Sequence, residues 1–239
     1  MAVTYLRQAS GVGNDPMFNV DATGGNYLAL MIYNRTSVTT ITYAGVTPDH
    51  LHTATDGYVG SCRVYGLKNP AQGSNVFAMT CPLASINGVC AVVLSGVDLG
   101  SPEVAHIEVG NAGSVNHLDL PLTTTATNQL SLSMVAPYRS NFWTPTGPTA
   151  LQYLNCNSGD YGASVGYQIA SGGVQNQYWS GAAAQGYSMG LAITLKSSGG
   201  GYMSWWFYAN KWKDFLRDVK RGLVPPGMLR RQYQDLIAI

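Results

Sequence analysis

The sequence predicts a mainly β protein, an antiparallel jelly-roll-like β-sandwich followed by a C-terminal helical tail. Short segments rich in Val, Ile, Thr and Tyr recur along the chain, separated by turn residues such as Asn, Gly and Pro. No long helical periodicity precedes residue 200. Charged residues make up only 10% of the chain, against about a quarter in an average soluble protein. This composition indicates exposed faces that are polar and neutral.

About ten strand-length segments follow one another from residue 27 onward. The first, 27–33, is an apolar run of strand length, and the second, 38–43, alternates between apolar and polar residues. The further segments are 61–67, 75–81, 88–95, 115–120, 129–135, 151–156, 164–170, 177–179 and 187–195. Their spacing is typical of an antiparallel sandwich or jelly roll. No segment of the sequence recurs at a fixed spacing along the chain, so the sequence predicts no internal repeat.

The composition changes near residue 200, which divides the chain into three parts. Residues 1–196 are predicted to form the β-sandwich, 197–201 a Gly/Ser hinge, and 202–239 an aromatic and basic helical tail. Up to residue 201 the chain has six Lys/Arg against nine Asp/Glu, a net charge of −3, and the rest has seven against three, a net charge of +4. The tail therefore differs in charge as well as in hydrophobic pattern.

The tail has the periodicity of an amphipathic helix. Apolar residues recur every three or four positions from Tyr208 through Trp212 to Leu223, and basic residues occupy much of the remaining surface. Gly222 and the Pro225-Pro226 pair end the pattern. We expect this tail to anchor the protein to a partner or to copies of itself. The expected anchor residues are Trp205, Trp206, Trp212, Phe215, Val219, Leu223, Arg217, Lys220, Arg221, Arg230 and Arg231.

The sequence leaves three other roles of the tail open: contact with a membrane interface, contact with nucleic acid, and packing back onto the body. Acidic residues alternate with the basic ones, and a net charge of +4 is modest. Both observations weaken the membrane and nucleic-acid alternatives. An apolar stripe of this strength favours docking onto protein.

Three motifs in the body are similar to those of a family of phage-associated β-sandwich proteins. Residues 38–46 read V-T-T-I-T-Y-A-G-V, residues 62–76 contain N-P-A-Q-G, and residues 94–102 read L-S-G-V-D-L-G-S-P. The family has V-T-x-x-T-Y-x-G, N-P-x-x-G and S-G-V-D-x-x-x-P in the same order. The resemblance covers roughly residues 20–195 and implies a structural or appendage component of a tailed-phage virion. It implies no catalytic residues.

The sequence offers weak signals for catalysis or metal binding. Gly162–Gly166 has the G-x-S-x-G spacing, but all four histidines precede Ser164, whereas a hydrolase elbow is followed by its histidine. His50 and His52, beside Asp49, would lie on one face of a strand, and His106 or His117 would complete a metal site; a polar loop is the favoured interpretation. We therefore expect no catalytic residue, no metal and no cofactor.

The cysteines are expected to be free and mostly buried thiols. The four are Cys62, Cys81, Cys90 and Cys156. None forms a C-x-x-C pair, and residues 1–7 lack the charged and apolar regions of a secretory signal. An even number would also allow two disulfides. No stretch of the sequence has the roughly 18 apolar residues of a membrane span.

Four aromatic residues could bind sugars: Phe142 and Trp143 in one loop, and Tyr178 and Trp179 near a Gly/Ala-rich turn. Aromatic faces beside Asn and Gln suit carbohydrates. The favoured alternative is that Trp143 and Trp179 fill the core or contact another subunit.

Together these observations predict a non-enzymatic structural component of a tailed-phage virion, either a head decoration or fibre protein or a tail-associated one. Its tail would bind capsid or tail proteins and further copies of itself, as a homotrimer, and its sandwich would face outward and could touch host glycans. A receptor-binding or carbohydrate-binding adhesin is the alternative, and a polysaccharide hydrolase is less favoured. No nucleic-acid partner is expected.

Overall fold

The computed structural model describes residues 2–35, 38, 40–57, 60–81, 87–110, 115–137, 143–146, 148–157, 161–170, 172–185 and 187–198. The chain divides into two compact units, Met1–Gly199 and Gly200–Ile239. The predicted helical tail and its anchor residues lie outside the described residues. The described part of the first unit consists of strands and turns and contains no helix.

The described body contains sixteen strands, and all of their pairings are antiparallel. The strands of the first half are β1 Thr4–Gly13, β2 Met17–Asp21, β3 Tyr27–Asn34, β4 Thr40–Tyr43, β5 Asp49–Asp56, β6 Gly60–Lys68, β7 Ser74–Thr80 and β8 Asn87–Ser95. The strands of the second half are β9 Glu103–Val109, β10 Val115–Thr124, β11 Leu130–Pro137, β12 Thr144–Thr146, β13 Thr149–Asn157, β14 Tyr161–Ile169, β15 Gly173–Gln185 and β16 Ser188–Leu195.

The two halves of the body have the same topology. The first half forms a five-stranded sheet in the order β1-β8-β3-β6-β5 and a three-stranded sheet in the order β2-β7-β4. The second half forms a five-stranded sheet in the order β9-β16-β11-β14-β13 and a three-stranded sheet in the order β10-β15-β12. Adding eight to each strand number of the first half gives the strand order of the second half. The body is therefore a tandem structural repeat, which the sequence did not reveal.

The strand registers of the two repeats also agree. In the first repeat, β3 lies between β6 and β8, with Tyr27 opposite both Lys68 and Leu94. The matching set in the second repeat is Leu130, Ile169 and Leu195. In both sets the first and last residues are buried in the same core, and the middle one is exposed. Equivalent positions in the two repeats can therefore be assigned residue by residue.

Even the irregularities of the strands are repeated. In β5, Leu51 is an extra residue opposite β6, and in β13 Leu151 is an extra residue at the equivalent point opposite β14. Leu6 in β1 and Val104 in β9 are extra residues in the same way, opposite β8 and β16. A β-bulge of this kind inserts one unpaired residue, so residues before and after it change faces. These bulges decide which side chains meet between the repeats.

The four sheets stack as layers of three, five, five and three strands. The two five-stranded sheets pack face to face through a shared central core, which includes Met31 and Val92 of the first repeat and Met134 and Ile193 of the second. Each three-stranded sheet covers the other face of its own five-stranded sheet through a separate apolar cluster. Because β3, β8, β11 and β16 are covered on both faces, all of their side chains except that of Ser95 are buried.

Candidate functional site

The edge strands β5 and β9 meet where the two five-stranded sheets pack together, and they bring four ionisable side chains into one cluster. His52 comes from β5 of the first repeat, whereas Glu103, His106 and Glu108 come from β9 of the second. We call these four residues the corner cluster. It is the densest group of histidines and carboxylates among the described residues, and it crosses the boundary between the repeats.

Glu103 joins the two histidines. Its Oε2 lies 2.7 Å from Nε2 of His52, and its Oε1 lies 2.7 Å from Nδ1 of His106. The two imidazole rings stack with their centroids 3.6 Å apart and an interplanar angle of 25°. The carboxylate of Glu103 therefore hydrogen-bonds to one nitrogen of each ring and holds the two rings nearly parallel.

Glu108 approaches the other nitrogen of His52. Its Oε1 lies 3.2 Å from Nδ1 of His52 and accepts the backbone N–H of Thr53 at 3.2 Å. The side chains of His52 and Glu108 are 17% and 37% exposed. The corner cluster is therefore partly exposed to solvent, and hydrogen bonds fix its side chains.

Two β-bulges select the members of this cluster. Without the bulge at Leu51, residues two apart on β5 would share a face, as the sequence predicts for His50 and His52. The bulge turns His50 to the opposite face, where its ring packs on Tyr65 at 5.0 Å between centroids. The favoured interpretation of this segment as a polar loop is therefore wrong, because it forms β5, and the alternative with both imidazoles on one face is wrong as well.

The bulge at Val104 has the opposite effect on β9. His106 and Glu108 are two residues apart and share a face, whereas Ala105 and Ile107 pack on the other side. Without a bulge, Glu103 would lie on the side of Ala105, but the extra residue returns it to the side of His106. The signal in the sequence was the alternation of His106 and Glu108, and neither carboxylate was predicted as a site residue.

The remaining residues of the less favoured histidine site lie elsewhere. His50 donates to or accepts from the hydroxyl of Thr53 at 2.6 Å, and partial burial, followed by the nearby Arg63 charge, lowers its pKa. His117 lies on β10 and stacks on Tyr178 at 5.5 Å. Of the candidate partners for His52 considered from the sequence, the structure brings only His106 to it.

The equivalent positions at the other end of the central core carry amides in place of the two imidazoles. Gln152 corresponds to His52, because each follows the bulge leucine and pairs with the equivalent valine of the next strand. Gln8 corresponds to His106 by the registers with β8 and β16. Nε2 of Gln8 donates to the carbonyl of Leu151 at 2.5 Å and lies 3.5 Å from Oε1 of Gln152.

The G-x-S-x-G segment has no elbow geometry. Residues 162–166 lie within β14, and the side chain of Ser164 is fully buried in the sheet stack. A nucleophilic serine needs an exposed turn between a strand and a helix. This segment is therefore a strand of the fold.

The structure buries both tryptophans that were considered for a sugar-binding surface, in agreement with the favoured interpretation that they fill the core. Trp143 and Trp179 are 0% exposed and belong to the apolar cluster between β10, β15 and the neighbouring five-stranded sheet. Nε1 of Trp179 donates to the hydroxyl of Ser133 at 3.2 Å. Tyr178 is partly exposed, and Phe142 lies outside the described residues. The tryptophan rings fill the core, so they offer no open face to a sugar.

The cysteines that the structure describes are largely inaccessible. Cys62 and Cys90 are buried, Cys81 is partly exposed, and Cys81 and Cys90 are free thiols. Burial raises the pKa of the Cys90 thiol to about 12. The side chain of Cys156 lies outside the description.

The anchor residues expected in the tail all lie outside the described part of the chain. They are Trp205, Trp206, Trp212, Phe215, Val219, Leu223, Arg217, Lys220, Arg221, Arg230 and Arg231. Within the described part, no helix has the length and apolar character needed to cross a membrane. No protein-family model matches the chain, and no curated protein or solved structure matches it either.

Proposed function

We propose that this chain is a non-enzymatic structural component of a tailed-phage virion, with the β body facing outward and residues 202–239 as the anchor. Each repeat has eight antiparallel strands in two sheets, an arrangement similar to a jelly roll, which is a fold common in viral capsid proteins and also in lectins. Because a fold by itself does not define a function, the proposal rests on how the body distributes its polar and apolar surfaces.

The observation that carries the proposal is the character of the two outer sheets. The outward side chains of β10 and β15 are largely polar, among them Asn116, His117, Asp119, Thr123 and Asn176, and those of β2 and β7 combine polar residues with the exposed Met17 and Val76. Charges on these faces are few, and Asp21 is paired with Arg7. Outer faces with few charges and only scattered exposed apolar residues suit a module that projects from a particle without binding its neighbours strongly.

The apolar faces of the four sheets pack against one another inside the body. Three apolar clusters fill the three spaces between the four layers. The large hydrophobic residues exposed on the described body are Val12, Met17, Val46, Val76, Ile169 and Val174. These few residues contrast with the aromatic density of the tail, where three tryptophans occur within eight positions, 205–212. The tail is therefore the segment best suited to bury apolar surface against a partner.

The apolar stripe of the tail can be tested in the full chain. Replacing Trp212 and Phe215 by Ser removes two central apolar residues of the predicted stripe, whereas replacing Lys211 and Lys213 by Ser changes neighbouring positions outside it. We expect the wild-type chain and the lysine variant to assemble as trimers and to enter particles. The stripe variant should stay monomeric, keep its β circular dichroism and fail to enter particles.

Mass in solution, from light scattering, and occupancy in purified particles are the two measurements. A stripe variant that keeps both the wild-type mass and the wild-type occupancy would contradict the proposal. A chain ending at Ser198 provides an independent check, because the second compact unit begins at Gly200. It should remain folded, monomeric and absent from particles.

The adhesin alternative requires a different result. Without the two tryptophan faces, a sugar site would have to use other outward groups, such as the stacked rings of His117 and Tyr178. Binding on a glycan array that is lost in Tyr178→Ala and kept in the stripe variant would favour that alternative over the structural proposal.

A further inference from the structure

We propose that the corner cluster is a binding site for a divalent transition-metal ion of the zinc class, and that the ion links the two repeats. His52, His106 and Glu108 can each offer one ligand atom, and these three atoms lie within 4.8 Å of one another. None of its residues belongs to the tail segment or to the outer sheets on which the proposed virion function rests.

The spacing of the donor atoms fits a small ion. Around a tetrahedral zinc ion with bonds of about 2.0 Å, neighbouring ligand atoms lie about 3.3 Å apart. Nδ1 of His52 and Oε1 of Glu108 are 3.2 Å apart. His106, whose side chain is 45% exposed, offers the third donor within 4.8 Å of the other two, so small side-chain shifts would bring the three donors around one centre.

Glu103 completes the arrangement from outside the ligand set. A histidine that binds a metal through one nitrogen usually donates its other N–H to a carboxylate, which fixes the tautomer and the ring orientation. Glu103 accepts from Nε2 of His52 and Nδ1 of His106, both at 2.7 Å. This leaves Nδ1 of His52 and Nε2 of His106 for the ion, on the rings that Glu103 has aligned.

The chemistry of the donors selects the class of ion. Imidazole nitrogens favour zinc, copper, nickel or iron, whereas magnesium and calcium prefer sites made of oxygen ligands. The carboxylates of Glu103 and Glu108 together balance the double positive charge. Three protein ligands leave a fourth position of a tetrahedral ion for water, which the partial exposure of His52 and Glu108 allows.

The comparison between the repeats gives independent support. The same backbone, with the same two bulges, carries Gln8 and Gln152 at the other end of the central core, and amides there hydrogen-bond to each other and to the backbone. The fold therefore does not require histidines at these positions. Only at the corner cluster do both positions carry an imidazole, with the carboxylates of Glu103 and Glu108 beside them.

The location suggests what the ion does. His52 belongs to the first repeat, and His106 and Glu108 belong to the second, so one ion bonds directly to both. The covalent connection between the repeats is the segment 96–102. An ion that binds the folded arrangement and not the unfolded chain stabilises it.

The test uses the untagged full chain, freed of metal with EDTA and titrated with Zn²⁺ and Co²⁺. We expect one equivalent of each ion to bind, with heat in calorimetry and with cobalt d–d absorption bands, and a rise in melting temperature. Mg²⁺ and Ca²⁺ should give no comparable heat. If neither Zn²⁺ nor Co²⁺ binds, the cluster is a hydrogen-bonded network alone and the proposal is wrong.

The equivalent corner, with Gln8 and Gln152, supplies the best substitutions. His52→Gln and His106→Gln place the residues of the equivalent corner at this one, so the fold should be retained, which circular dichroism checks. Each should weaken binding at least about 100-fold, since even groups outside the ligand set cost roughly 10–100-fold. His117→Gln is the matched control and should leave the affinity unchanged. Equal affinity in His52→Gln and the wild type would place the ion elsewhere and overturn the proposal.

Glu103→Gln separates positioning from coordination. It should weaken binding by about 10- to 100-fold while the cobalt spectrum keeps the band positions of the wild type. A spectrum with changed band positions would show that Glu103 is itself a ligand and would overturn the role assigned to it.

Discussion

Gln152 occupies in the second repeat the position that His52 occupies in the first. Each directly follows the leucine of a β-bulge, and each pairs with a valine, Val165 or Val64, of the next strand. The backbone at the two ends of the central core is thus equivalent, while the chemistry differs. One end has neutral amides, and the other has the imidazoles and carboxylates of the corner cluster.

A second pair of equivalent positions shows how the repeats exchange large and small residues. Gly66 on β6 lies against the ring of Tyr27 on β3. The equivalent residues of the second repeat are Tyr167 and Leu130, so there the ring belongs to β14 and stacks on Tyr5 with centroids 5.0 Å apart. Each repeat therefore has one ring at this level of the central core, supplied by a different strand.

Gly66→Ala should destabilise the protein, because an added Cβ would clash with the buried ring of Tyr27. Overpacking of this kind costs about 1–3 kcal/mol. Gly57→Ala is the matched control, since nothing lies within 4 Å of the Cβ that it adds. Urea unfolding of the two variants measures the difference, and equal midpoints would mean that the Tyr27 ring is free to move away.

The central strands were predictable from sequence, whereas the edge strands largely were not. β3, β8, β11 and β16 are buried on both faces, so their composition is largely apolar over the length of a strand. Strands β1, β5 and β9 lie at sheet edges, where one side of the backbone has no partner strand and many side chains reach solvent. Their polar composition gives little signal, and no strand was predicted there.

The repeat escaped prediction because equivalent positions carry different chemistry. Leu28 and Leu30 of β3 face the first three-stranded sheet, and their equivalents on β11 are Ser131 and Ser133. Burial is the same, but an apolar contact in one repeat is a hydrogen bond in the other. The corner cluster was missed for another reason. The bulges at Leu51 and Val104 change which residues of β5 and β9 share a face, and the sequence does not show where these bulges occur.

The hydrogen-bonded core of the second repeat makes Ser133 a sensitive position. Its buried hydroxyl bonds with Gln177 at 3.2 Å and accepts the indole N–H of Trp179 at 3.2 Å. Ser133→Ala would leave both partners buried without it, at a cost of about 1–3 kcal/mol. Ser74→Ala, at an exposed position on β7, should change the unfolding free energy by less than about 0.5 kcal/mol. A neutral Ser133→Ala variant would show that the network reorganises without this hydroxyl.

The cysteines should differ in reactivity in the folded protein. Burial raises the pKa of Cys90 to about 12, and it also raises the pKa of the partly exposed Cys81, to which Asp15 adds a further increase. The thiolate is the reactive form, so iodoacetamide at pH 8 should label Cys81 slowly and leave Cys90 unmodified. Both should react in urea. Peptide mass spectrometry identifies the site, and labelling of native Cys90 at the rate of Cys81 would contradict its burial.

The ion pair of Asp98 and Lys196 should make part of the stability depend on acid pH. Asp98 lies between β8 and β9, and its carboxylate bonds to the ammonium of Lys196 at 2.9 Å and to the N–H of Gly100 at 3.0 Å. These bonds, that of Lys196 above all, lower the pKa of Asp98. The pKa of Asp98 in the folded protein therefore lies below the value of about 3.9 in the unfolded chain. The ion pair contributes fully to the free energy of unfolding at pH values above about 3.9, and this contribution is lost as the pH falls through the folded-state pKa.

Asp98→Asn removes the titrating group and keeps the size of the side chain. The wild type should therefore be more stable than Asp98→Asn at pH 6, and the difference should shrink steadily below about pH 4. The effect should be small and should weaken in 0.5 M salt, because the pair lies at the surface and solvent ions screen it. Urea midpoints between pH 3 and 7 measure it. A difference that stays constant down to pH 3 would mean that the carboxylate charge of Asp98 does not contribute, and that the substitution only alters the local turn.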